Sequence, residues 1–184
     1  MRQSKASQGK VSEALERMVR QAVVNDGEAE VYLCSLRLPR EFSENPHQAN
    51  EIYKKIQADF CKNVYRCTGS TPRYVTVKKE NDANPEYAFC LFTKPEASLD
   101  KPEEYAEKGR EIANTKAGKA GWGLGRLDVV ELIKDAPRFT ISSQSIPVTS
   151  SNKETVLPQL QQHLQNKRIV DALHQRTLFV SKCP

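Results

Sequence analysis

Val11, Ala14, Leu15, Met18, Ala22 and Val23 fall on one stripe when residues 10–24 are wound as a helix. The tetrapeptide NDGE then breaks the pattern. Residues 29–38, AEVYLCSLRL, read as a strand stopped by Pro39. A second helix follows Pro46 and His47, because Ile52, Ile56, Phe60 and Val64 recur every four residues. CTGSTP is a turn. RYVTVKKE, 73–80, is a strand, and NDANP supplies the residues of a hairpin loop. Residues 86–93 return as its partner. Side chains alternate across a strand, so Glu86, Ala88, Cys90 and Phe92 share one face, and Tyr87, Phe89 and Leu91 the other. A glutamate thus opens an otherwise apolar row.

The second half is more polar. A charged helix runs from about Pro102 to Lys119. GKAGWGLG, 118–125, ends it with glycine caps and Trp122 packed inward. That stretch lacks the spacing of a phosphate loop. RLDVVELI is a short strand or a helical turn. RFTIS, from 138, is a strand. A polar loop, SSQSIPVTSSNKE, leads to a helix at about 154–174, whose buried stripe is Leu157, Leu160, Leu164 and Leu173. TLFVSK closes the chain as a strand. These elements predict an α+β fold: an antiparallel sheet of about five strands in β-α-β-β-α-β order, with helices packed on it and an extra N-terminal helix. One sheet face carries helices, and the other is open or covered by the additional ones. Residues 1–9 are expected to be a flexible N-terminus and 10–184 a single domain.

Composition narrows the class. The net charge of +5 permits a nucleic-acid partner without requiring one. From residue 151 onward, five basic residues (Lys153, Lys167, Arg168, Arg176, Lys182) stand against Glu154 and Asp171. No apolar run approaches the roughly 20 residues of a membrane span. The basic start has no apolar segment after it, so it does not read as a signal peptide. Cys34, Cys61, Cys67, Cys90 and Cys183 form no CxxC pair, which argues against a zinc site. Cys34 and Cys90 sit inside apolar strands and read as small buried hydrophobes. This usage fits a reducing cytoplasm. No cofactor motif is present.

Three words carry a resemblance: VYLCSLRLP, RYVTVKKENDANPEYAFCLFTK and the terminal RTLFVSK. In this order they resemble the replication-initiator-like proteins of filamentous phages and prophages, the YagK/YfjJ C-terminal-domain type, over most of the chain from about residue 29. That family is related to rolling-circle initiators. The resemblance implies a location in a bacterial host cell and DNA as a partner. It also implies a divalent metal held by two histidines on one strand face, and a tyrosine that attacks the scissile phosphate. Glu86 and Ala88 stand at the two histidine positions, and alanine cannot ligate a metal. His47, His163 and His174 all lie elsewhere. No tyrosine follows Tyr105. The resemblance therefore implies a degenerate metal site and a protein that binds nucleic acid without cutting it.

The remaining candidates are weighed against plainer roles. Tyr105 and Lys108 have Tyr-x-x-Lys spacing, so a helical turn would set a cation beside a nucleophilic phenol; the plainer role is a surface tyrosine on a charged helix. Glu80, Asp82 and Glu86 flank one hairpin loop and are candidate ligands for Mg²⁺; exposed carboxylates also simply solubilise an edge. The three histidines read as structural or surface residues. Lys54, Lys55, Lys62, Arg66, Arg73, Lys78, Lys116, Lys119, Lys167, Arg168 and Arg176 are candidate contacts to a phosphate backbone, with Tyr74 and neighbouring tyrosines available to stack on bases. The expected surface is the open sheet face with the adjacent basic helices. The alternative is a protein-interaction module that occupies or inhibits a host complex.

Overall fold

The computed structural model describes residues 5–79, 84–120, 137–164 and 167–173. The protein is α+β. Helix α1 (Lys5–Asp26) leads into strand β1 (Glu28–Arg37), helix α2 (Pro46–Thr68) and the hairpin β2 (Arg73–Lys79) and β3 (Glu86–Thr93). Helix α3 (Pro102–Ala120), strands β4 (Arg138–Ile141) and β5 (Ile146–Thr149), helix α4 (Lys153–His163) and strand β6 (Lys167–Leu173) follow. The sheet is antiparallel throughout, in the order β4-β1-β3-β2-β6. β5 also pairs with β1, beyond the end of β4, so two short strands share one edge.

Local chemistry fixes the boundaries. Gly27, at φ 77°, ends α1 and donates its N–H to the carbonyl of Val23. The Asn45 side chain caps α2 by accepting from the Gln48 N–H at 3.0 Å, and Pro46 opens the helix. Gly69, at φ 69°, closes it.

Helices cover both faces of the sheet. On one side Tyr32, Leu36, Tyr87, Phe89 and Leu91 pack against Ile52, Tyr53, Ile56 and Phe60 of α2 and Ala113 and Ala117 of α3. On the other, Val31, Val75, Val77, Ala88, Cys90 and Phe92 pack against Leu15, Met18 and Ala22 of α1 and Val156 and Leu160 of α4. α1 also lies against β6. The expected open sheet face is therefore absent among the described residues. A sheet whose strands are apolar on both faces needs a layer on each side.

Three further expectations change. The N-terminal helix spans Lys5–Asp26, longer at both ends than the stripe at 10–24 that predicted it. The polar loop after β4 contains β5, an edge strand that tolerates Pro147 because the missing N–H costs no ladder bond there. The helix expected over 154–174 ends at His163, and Leu173 lies on β6, where pairing with β2 overrides helical spacing. The expected strand TLFVSK and residues 121–136 lie outside the described residues.

At Gly109, α3 packs closely against β4. A Cβ there would sit 2.8 Å from the Phe139 ring. Gly109→Ala is expected to destabilise the fold by about 1–2 kcal/mol through overpacking, although alanine is otherwise the better helix former. A shifted urea midpoint would show it.

Candidate functional site

Strand register brings together residues that are far apart in sequence. Arg138 pairs with Arg37, Arg37 with Glu86, Glu86 with Lys79, and Lys79 with Lys167. One row thus crosses all five lateral positions of the sheet, with four cationic residues and a single carboxylate. It lies at the end of the face carried by α1 and α4, one step beyond the buried Ala88. Phe139 is buried on the opposite face, which puts its neighbours Arg138 and Thr140 on this one. The next row is small and polar at its edge, where the Ser35 and Thr140 hydroxyls lie 2.6 Å apart.

Glu86 is held from two sides. An Arg37 guanidinium nitrogen donates to its Oε2 at 3.3 Å, and the Lys79 ammonium meets its Oε1. The carboxylate is 14% exposed, against 50% for the Arg37 side chain and 32% for Lys79. Partial burial alone would raise the Glu86 carboxyl; the hydrogen bonds and charges of Lys79 and Arg37 outweigh it and hold it below the usual carboxylate range. A group with a depressed folded pKa stabilises the protein above its unfolded pKa of about 4.3 and loses that contribution as pH falls through the folded value. Glu86→Gln is therefore expected to cost up to about 1 kcal/mol at pH 7. The gap to the parent should narrow as pH falls below the unfolded value of about 4.3; chemical denaturation at pH 7 and pH 3 checks the narrowing.

Ala88 is buried in the α1/α4 core. Glu80 and Asp82 lie outside the described residues. Among the described residues no group of three His, Cys, Asp or Glu side chains is placed to hold a metal. His163 is engaged with the Cys34 carbonyl oxygen at 3.0 Å, at the end of α4.

The Tyr105 candidate has surroundings unlike those expected. Lys108 pairs with Glu111 at 2.7 Å instead of supporting the phenol. Burial, a hydrogen bond with Cys67 and the negative charges of Asp100 and Glu104 push the Tyr105 hydroxyl up to about 12. Such a phenol is a poor nucleophile near neutral pH.

The basic candidates divide. Lys54 and Lys62 pair with Glu51 and Asp59 one turn back on α2, and Lys116 with Asp59 at 2.8 Å. Arg73 is buried and bound to Asp26, so it cannot contact a backbone phosphate. Tyr74 is 2% exposed and cannot stack on a base. Lys78 stands 6.0 Å from the centre of the Tyr87 ring. Lys55 and Arg66 are exposed on α2. Lys167 and Arg168 lie on β6, Lys119 near the end of α3, and Arg176 outside the described residues.

Sequence reading alone does not single out Arg37, Lys79 or Arg138. Each is an ordinary strand cation until register sets them side by side. The available signal was Arg37 in the LRLP ending of the first strand word. No family model, curated protein or solved structure matches the chain. No helix among the described residues is long and apolar enough to cross a membrane.

Proposed function

We propose that the protein binds nucleic acid through this row of cations and has lost the metal-dependent strand cleavage of the rolling-circle initiators its sequence resembles. The observation that carries the reading is the row itself: four cationic positions around one carboxylate, at the place where the resemblance puts the scissile phosphate. Phosphate contacts require cations in a line but no catalytic spacing. Three features support the loss of cleavage. Glu86 is committed to two cations, Ala88 offers no ligand, and the Tyr105 phenol is held protonated. Binding uses the end of the sheet, since helices occupy both faces.

Labelled single-stranded, hairpin and duplex DNA, titrated across a salt series with Mn²⁺ present and resolved on a denaturing gel, tests this. Binding that weakens steeply with salt, with intact DNA and no covalent adduct, is expected. Binding that ignores salt, or no binding to any of the three, overturns it in favour of a protein partner. A nicked product that disappears in Tyr105→Phe overturns the loss of cleavage.

A further inference from the structure

We propose that Glu86 is an internal anion that occupies the cation row and is displaced by an incoming nucleic-acid phosphate, so that its carboxylate sets the affinity of the surface. The inference rests on the nucleic-acid reading above and adds the regulation of the same site. A carboxylate shared between a guanidinium and an ammonium makes the charge-assisted contacts that a phosphodiester oxygen makes. Glu86 makes both, with Arg37 and Lys79. It is also the less exposed partner in each pair, so the cations can be reached from solvent while the carboxylate lies beneath them.

The flanks of the row show why one carboxylate is not enough. Like charges directly opposite on antiparallel strands are destabilising. Arg37 faces Arg138 in register. Arg138 is exposed and has no ion-pair partner among the described residues. Proteins break such local rules at functional positions. With strands about 4.8 Å apart, five positions span about 19 Å, room for several consecutive phosphates. A protein partner fits less well, because stable protein interfaces centre on apolar anchors. The one large hydrophobic residue exposed among those described is Val24, near the end of α1 and outside the row.

The test uses the full chain with a labelled oligothymidine and a duplex of equal length, followed by fluorescence anisotropy across a salt series. Glu86→Gln is expected to bind roughly three- to tenfold tighter at low salt. Its log–log salt slope should steepen by about 0.7–1.4 on the single strand, for one or two freed phosphate contacts. Arg138→Glu, at an exposed position, supplies a second internal anion. It is expected to weaken binding by about tenfold or more while raising the thermal midpoint, because it relieves the Arg37 repulsion. A merely structural row would not move stability and affinity in opposite directions. If Glu86→Gln melts cooperatively yet binds no tighter, the inference fails. If the parent binds and Arg138→Glu binds equally well, the interface lies elsewhere; the inference fails and the nucleic-acid reading stands. If none of the proteins binds either oligonucleotide, both fail.

Discussion

Replacing Asp26 with alanine is expected to cost about 3–5 kcal/mol of stability, the usual result of stranding one member of a buried ion pair. Asp26 and Arg73 are 8% and 6% exposed and meet at 2.6 Å. Asp26 also reaches Lys94 at 3.3 Å. One carboxylate at the end of α1 therefore ties the start of β2 to the segment just after β3. The Arg73 Nε already has no hydrogen-bond partner among the described residues. Asp26→Asn, which keeps an acceptor but loses the charge, is expected to fall between the parent and the alanine variant. The double variant Asp26→Ala/Arg73→Met should recover much of the loss, because the cost lies in the unpaired charge more than in the missing attraction. Urea unfolding of the parent, Asp26→Ala, Arg73→Met and the double variant at pH 7 supplies the cycle. A single variant within about 1 kcal/mol of the parent would mean that water reaches Arg73.

The second large effect is expected at Phe60. Its ring stands 4.6 Å from Phe139 and 6.5 Å from Phe89, centre to centre, and Phe89 lies 5.9 Å from Phe139. These three rings join α2, β3 and β4, and Gly109 of α3 lies against Phe139. Phe60→Ala is expected to cost about 3–5 kcal/mol, because a closed aromatic triangle cannot collapse into the space it leaves. Phe60→Leu keeps most of the volume and should cost about 1–1.5 kcal/mol. A loss near 1 kcal/mol for the alanine variant would show that α3 slides in to fill the gap.

Local patterning carried most of the fold. The four-residue recurrence of Ile52, Ile56, Phe60 and Val64 placed α2, and the alternation from Glu86 to Phe92 placed β3. What stayed hidden depends on long-range pairing. β5 is four residues with a proline inside, and pairing with β1 makes it a strand. Residues 167–173 continue a leucine spacing that suits a helix, yet β2 recruits them into the sheet. The site was hidden for the same reason. Glu86 stood out because a charge in an apolar row is visible along one strand. Arg37, Lys79 and Arg138 became its neighbours only through register, and no single stretch of sequence encodes register between distant strands. Tyr74 and Arg73 looked available for binding because their type suggests a surface, whereas Arg73 is bound to Asp26 at the end of α1 and Tyr74 is buried on the opposite face, in the core with α2.

The position of β6 affects when the sheet can close during synthesis. Among the described strands β2 has no second neighbour until residues 167–173 arrive, and α1, far upstream in the chain, lies against that same strand. A nascent chain on the ribosome therefore holds an unsealed β2 edge beside a helix without its full seat until residue 173 has emerged. Such an edge is a template for pairing with another chain. The interval between synthesis of the hairpin and synthesis of β6 is the period when this protein most needs a chaperone.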